Sequence, residues 1–196
     1  MAKKPAKRLS ARERLLMASD ELFYRDGVHS TGIDAVIEKA HVAKGSLYYN
    51  FDGKDALVAA YLKRRHQAWR ERVAAFQDAV DGPEEKILAI FDAVADYVES
   101  PDYRGDEFVN AAAEQGTGTA QEMATREFRT WLRQSFAEWA GETGVADPEG
   151  LVDALVVLYD GALATANMDN AARTAALTAK RIARLTVAAA RASISS

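Results

Sequence analysis

The sequence predicts an all-α protein of about nine helices, with an N-terminal three-helix domain containing a helix-turn-helix and a larger C-terminal helical bundle. Two observations carry this. Apolar residues recur with a period near 3.6 in one segment after another, as Ile33, Val36, Ile37 and Ala40 do at i, i+3, i+4 and i+7, and no stretch alternates with the period of a strand. The segments are also punctuated by residues that start and stop helices, with capping hydroxyls or carboxylates before them and glycine or proline after.

In chain order, residues 1–9 are rich in Lys and Arg, lack apolar periodicity and read as a disordered basic arm. Ser10-Ala-Arg-Glu13 is a capping box and opens a helix with Leu15, Ala18 and Leu22 as its apolar stripe, ending at Gly27. The helix-turn-helix covers about 32–51, with Val42, Leu47 and Phe51 on the apolar side of its second helix. Asp52-Gly-Lys-Asp55 then opens a long helix through Leu57, Tyr61, Ala68 and Phe76 to about Val80, linking a domain at 10–69 to one at 70–196. Pro83 restarts the pattern at a first helical position, where its missing N–H does no harm, and Ser100-Pro101 stops it after Glu99. A shorter helix is expected from Glu107 to Gln115, followed by the loop Gly116-Thr-Gly-Thr119. A second capping box, Thr119-Ala-Gln-Glu122, opens a helix through Trp131 and Trp139 to Gly141 or Gly144. Asp147-Pro148 starts an apolar helix to about Met168, and Ala171 to Ser193 forms the last.

Composition narrows the function classes. With 48% hydrophobic residues in 196, the chain buries a sizeable core. It has no cysteine, which excludes disulfides and thiolate metal sites and fits a reducing cytoplasm. No apolar run reaches the ~18 residues of a membrane span, and the basic start leads into no hydrophobic stretch, so neither a membrane partner nor a signal peptide is expected. The net charge of −4 conceals a split. Residues 1–72 hold 15 Lys and Arg against 9 Asp and Glu, while residues 73–196 hold 10 against 20. A basic head on an acidic body suits a protein whose head neutralises phosphates.

The second helix of the motif leaves Lys44, Ser46, Tyr49 and Asn50 exposed, side chains of the kind that reach base edges and phosphates in the major groove. Lys54 is informative on physical grounds. A cation in the first turn of a helix opposes the macrodipole, and a DNA phosphate held there would reverse the sign.

The run from Ser10 to about Trp69 resembles the DNA-binding domain of the tetracycline-repressor (TetR) family. The resemblance rests on Glu21-Leu-Phe-Tyr-Arg-Asp-Gly27, Thr31-Gly-Ile-Asp34, Lys44-Gly-Ser-Leu-Tyr-Tyr-Asn-Phe51 and Lys54-Asp-Ala-Leu57, four landmarks in register. It implies that Lys44, Gly45 and Ser46 read bases. Tyr48, Tyr49 and Asn50 would clamp the sugar-phosphate backbone, with Tyr49 or Asn50 also touching bases in some members, and Thr31 would bind phosphate. Two positions depart from the family pattern. His41 stands in the turn where the family usually has Gly, at a place that needs a left-handed backbone, and Ala43 replaces a Ser that caps the second helix.

Residues 70–196 would then be a ligand-sensing and dimerisation domain. Phe91, Tyr97, Phe108, Asn110, Glu114, Phe128, Trp131 and Tyr159 are the candidate pocket residues, because small-molecule sites are mostly apolar with a few polar groups. The segment Tyr103 to Glu114 is similar to one in a subset of the family where the position of Asp106 is often Cys, so a thiol role there cannot be shared. Leu151, Leu155, Leu158 and Ala162 with Ala175, Ala179, Ile182 and Leu185 are the candidate homodimer interface. No catalytic group, metal ligand set or cofactor motif is found, and His29, His41 and His66, the only histidines, are assigned to the head. Glu84 and Glu85, and Asp92 and Asp96, read as solvated faces and not as acid/base pairs. The resemblance therefore implies a homodimeric transcriptional regulator, a repressor released from a palindromic DNA operator by a small apolar or amphipathic effector. The alternative is a ligand-independent dimeric DNA-binding protein or an activator.

Overall fold

A computed structural model of the chain describes residues 9–101, 103–109, 119–169 and 172–192. All regular structure among them is helical: α1 (Ala11–Asp26), α2 (Ile33–Ala40), α3 (Lys44–Asn50), α4 (Gly53–Asp78), α5 (Pro83–Val98), α6 (Ala120–Ala140), a 3-10 turn (Gly141–Thr143), α7 (Pro148–Met168) and α8 (Ala172–Ala192). A further helical stretch begins at Glu107–Val109. The remainder of the helix expected to Gln115, and residues 1–8 of the basic arm, lie outside the described residues.

The helix ends follow the local chemistry. The Ser10 hydroxyl accepts from the Glu13 N–H at 3.2 Å, and the Glu13 carboxylate accepts from the Ser10 N–H at 2.8 Å, so two orphan donors are satisfied at once. Gly27, at φ 87°, ends α1 in a region closed to most side chains. Gly144, at φ 74°, follows the 3-10 turn and is the stop where the sequence left Gly141 open as well. Asp147 accepts from the Gly150 N–H at 2.9 Å with Pro148 at the start of α7.

The chain forms two compact units. The first contains residues to Arg64, so α1, α2, α3 and the opening turns of α4 belong to it. Its core is Leu15, Leu22, Phe23, Val36, Leu47, Leu57, Tyr61 and Leu62, with Phe23 edge-on to Tyr61 at 5.5 Å. The second holds Arg65 to Val109 and everything from Arg126 onward, including α5, α7 and α8. Ile87, Leu88, Ile90, Phe91, Leu132, Phe136 and Leu155 form its centre, with Phe91 and Phe136 rings 5.9 Å apart.

In this second unit α8 is tied to α5 by ion pairs. Lys180 meets Asp92 at 2.6 Å, Arg184 meets Glu85 at 3.1 Å, and Arg191 meets Glu84 at 2.7 Å. The acidic pairs read as solvated faces are thus cross-helix partners, each worth ~0–1 kcal/mol where exposed. The apolar helix α7 corrects another expectation. At 21 residues, with a mean hydropathy of 1.3 over an 18-residue window, it is by length and composition long and apolar enough to cross a membrane, although no run of that length was expected. Its burial gives a different reason for that composition: Leu151, Val152, Leu155, Val156, Tyr159 and Leu163 are packed inside the fold, chiefly against α8.

Candidate nucleic-acid interface and ligand cluster

In the first unit, α2 and α3 meet through a turn at His41, whose φ of 51° and ψ of 49° are left-handed. The turn adopts the geometry the motif needs despite lacking glycine. Arg14 on α1 holds it, because its Nη1 donates to the carbonyls of His41 at 2.8 Å and of Ala40 at 3.3 Å. These carbonyls end α2 and would otherwise face each other without a donor. Sequence reasoning missed Arg14, since nothing local marks a contact 27 residues away.

Helix α3 has one buried side chain, Leu47, and presents the others outward. Tyr49 is 90% exposed and Tyr48 is 56% exposed. Gly45 faces open space, with nothing near where a Cβ would stand. Ala43 provides no cap, and the Ser46 N–H instead donates to the Ala43 carbonyl at 2.8 Å. Lys44 extends to Asp34, 3.1 Å away, which raises the ammonium pKa through the hydrogen bond and the charge of the carboxylate. Asn50 turns its amide nitrogen back to the Ser46 carbonyl at 2.7 Å. Lys54, in the first turn of α4, reaches the His29 carbonyl at 3.5 Å.

Thr31 departs from expectation. It is buried, and its hydroxyl donates to the carbonyls of Gly27 at 2.7 Å and Leu22 at 3.3 Å. Closing the end of α1 uses the group that was assigned to phosphate.

The second unit contains a cluster of rings and buried charges. Phe108 lies parallel to Phe128 at 3.9 Å, and Phe128 meets Trp131 at 5.9 Å. His66 joins them, 6.2 Å from Phe108, 5.6 Å from Phe128 and 5.3 Å from Trp131. The histidine placed in the head by sequence therefore belongs to the body, where burial and the charge of Arg70 lower its pKa. Trp69, one turn further along α4, packs on Tyr97 at 5.4 Å and Tyr159 at 6.3 Å.

Beside these rings, Tyr97 donates its hydroxyl to Glu107 at 2.5 Å, and Arg65 faces the same carboxylate at 3.4 Å. Asp106 accepts from the N–H groups of Phe108 and Val109 at 2.9 and 2.8 Å. Burial, and then the charge of Glu107, push its pKa to about 7. Burial raises Tyr159 well above the usual phenol range, so the hydroxyl stays protonated. Phe91 is wholly buried against Phe136 and behaves as core. Asn110 and Glu114 lie outside the described residues.

Four of the residues expected at an interface are inside the chain's own core. Leu151, Leu155, Ala162 and Ala179 are buried where α7, α8 and α5 pack together, and Leu155 is 0% exposed. Leu151 and Leu155 face the bundle. The outward face presents Val157, Met168 and Leu177 together with Ile182 and Leu185 of the expected set. Leu158, Gly161, Ala162, Ala175, Thr178 and Ala179 line a shallow groove of about 480 Å³ between α7 and α8, the two alanines Ala162 and Ala179 buried within it.

Comparison with known proteins agrees with this architecture. A family model described as bacterial regulatory proteins, tetR family, matches residues 15–61. The chain is similar to the HTH-type transcriptional regulator LmrA of Bacillus subtilis, 34% identical over 80 residues that cover 40% of this chain. That match spans only 43% of LmrA, less than half its length. It is 32% identical over 101 residues to the uncharacterized HTH-type transcriptional regulator TtgW of Pseudomonas putida, covering 44% of this chain and 75% of TtgW. The solved structure of SCO4454, a TetR-family transcriptional regulator from Streptomyces coelicolor, superposes with a TM-score of 0.85 at 28% identity, over 92% of this chain and 96% of that one. These relatives are named as regulators and none as an enzyme.

Proposed function

The chain belongs to the tetR family of bacterial regulatory proteins, and from that premise we propose that it is a homodimeric, ligand-responsive transcriptional repressor acting in the cytoplasm. In this reading residues 10–69 bind a palindromic double-stranded operator, and residues 70–196 dimerise and respond to a small apolar or amphipathic effector. One observation carries the DNA reading: α3 buries Leu47 alone and holds Tyr48 and Tyr49 in solvent. Two large aromatics kept out of water's reach by nothing in the fold gain a purpose when a phosphate backbone lies against them.

Lys44 would exchange Asp34 for a guanine edge, a swap that costs little because an exposed ion pair is weak. Gly45 would let the backbone approach the bases, Ser46 and Asn50 would contribute hydrogen bonds, and Lys54 would bind a phosphate at the start of α4. Two heads related by a dyad match a palindrome, and the outward apolar residues of α7 and α8 support the pairing. An effector releases DNA only insofar as it binds more tightly to the conformation that misaligns the two heads.

The test is selection of bound sequences from random DNA with the full chain, followed by titration of the selected site at several salt concentrations. The expected result is a palindromic consensus bound at least about a thousandfold more tightly than random DNA, with affinity falling as salt rises. Equal affinity for the selected and random sequences would defeat the operator reading.

A further inference from the structure

Helix α4 carries His66 and Trp69 three residues apart, on neighbouring turns of one face. His66 Nε2 and Trp69 Nε1 are both shielded from solvent and have no hydrogen-bond partner among the described residues. Trp69 is 7% exposed and its ring is held by Tyr97 and Tyr159. His66 is ringed by Phe108, Phe128 and Trp131. A buried polar nitrogen without a partner loses its hydration and regains nothing, and at position 66 a phenylalanine ring would fill a similar space without that cost. Two such nitrogens one turn apart, both within the aromatic cluster, are a hydrogen-bonding demand that no described residue meets.

Three further observations limit what would meet it. The indole N–H only donates, so the group reaching Trp69 is an acceptor; the imidazole takes a hydroxyl in either tautomer. The rings around them are flat and Phe108 lies parallel to Phe128, which suits a planar aromatic body. Charge disfavours an anion: Phe108 follows Asp106 and Glu107, two buried carboxylates, and burial, then the charge of Glu107, already keep Asp106 from ionising readily. Of the cations near this region, Arg129 is paired with Asp160 at 2.5 Å and Arg65 with Glu107 at 3.4 Å, while Arg70 lies on an open groove and acts on His66 only through its charge. Access is through Trp131. Its ring contacts His66 and also lines an open groove of about 290 Å³ with Gln67, Arg70 and Ser135, so it stands between the groove and the imidazole.

We propose that the His66–Trp69 face of α4 is the polar anchor of the effector site, and that the site takes an uncharged, planar, hydroxylated aromatic molecule of the phenol class. Trp69 Nε1 donates to the ligand oxygen, and the ligand hydroxyl satisfies His66 Nε2, while Trp131 and the outer side of the Phe108–Phe128 stack cover the ligand ring. This rests on the reading of the body as a ligand sensor, and its test uses DNA-free protein so that the two stand or fall separately.

The full chain is titrated by calorimetry with 2-naphthol, naphthalene and 2-naphthoate, which share one ring system and differ in carrying a hydroxyl, nothing or a carboxylate. At neutral pH, 2-naphthol should bind at least about tenfold more tightly than naphthalene, and 2-naphthoate should bind more weakly than either. Trp69→Phe and His66→Phe should each weaken 2-naphthol about five- to tenfold and leave naphthalene unchanged. His66→Phe should melt at or above the wild-type temperature, because it removes an unmet polar group, whereas Trp69→Phe leaves a cavity and is read by binding alone. Equal binding of the three compounds, no binding of any, undiminished 2-naphthol affinity in both variants, or a lower melting temperature for His66→Phe would overturn the proposal. If 2-naphthol binds as expected yet leaves operator affinity unchanged, the anchor site stands and the sensor reading fails.

Discussion

The two units use their polar groups in opposite ways. In the first, side-chain hydrogen bonds go into holding geometry: Arg14 secures the His41 turn, Thr31 closes the end of α1, and the Ser10–Glu13 box starts that helix. What is left over points outward, along α3. In the second, the surface is laced by ion pairs while the interior retains two carboxylates, an imidazole and an indole among aromatic rings. The lesson is that a reading surface spends most of its polar contacts on holding geometry, leaving Arg14 Nε without a partner among the described residues. The body instead keeps an imidazole, an indole and a raised carboxyl poised for a proton or a ligand.

The largest expected effect lies in the outward face of the body. Ile182→Arg combined with Leu185→Asp should convert the protein to a monomer in sedimentation and lower operator affinity about a hundredfold or more, since each half-site is then bound alone. Unchanged sedimentation would remove the interface from α8. Next, Lys44→Ala should cost about tenfold to a hundredfold in operator affinity and relax one base pair per half-site. Lys54→Ala should weaken all sequences alike and reduce the salt slope by about one. Binding-site selection with both variants distinguishes a base contact from a phosphate contact, and the reverse pattern would exchange their roles.

The body's interior charge gives a prediction in pH. Asp106 has a folded pKa of about 7, above the 3.8 of a free side chain, so the folded state holds a proton that the unfolded state releases. Its contribution is therefore a stability that is intact at pH below about 4, falls as pH rises, and is fully lost above about pH 7. Asp106→Asn keeps an acceptor for the Phe108 and Val109 N–H groups. It should stabilise the protein by roughly 1 to 3 kcal/mol at pH 8 and have little effect at pH 4, read from urea unfolding at both values. Equal effects at the two pH values would mean that Asp106 is ionised throughout. A buried carboxyl of this kind is invisible in the sequence, because its proton affinity is set by the groups packed around it.

The smallest effect concerns the head. Arg14→Ala should destabilise by about 1 to 2 kcal/mol, as the Ala40 and His41 carbonyls lose a charged donor. His41→Gly should recover part of this by relieving the left-handed backbone, and more in the Arg14→Ala background than in the wild type. A strictly additive double-mutant cycle would show that Arg14 does not act through the turn.

Much of the fold was legible in the chain. The boundaries of α1, α2, α3, α5, α7 and α8 agree with the local signals within about a residue or two, because capping and periodicity are short-range effects that a sequence displays directly. The exposed residues of α3 were legible for the same reason, as one apolar position in seven leaves the others outside. Which side chains of α7 and α8 turn inward was not. Both faces of these helices are rich in Ala, Leu and Val, and only packing against α5 decides that Leu155 turns inward while Leu185 turns outward.

By itself, then, the sequence determined the helix inventory, the helix-turn-helix, the left-handed residue at His41 and the basic-to-acidic split along the chain. Each of these depends on neighbours within about a turn or on simple composition. Only the tertiary structure decided that Arg14 would brace a turn 27 residues away, that Thr31 would be spent internally, and that His66 and Trp69 would meet rings from distant segments of the body. Those outcomes depend on which surfaces burial brings together, and a side chain's partner, its exposure and its proton affinity are all properties of that assembled environment.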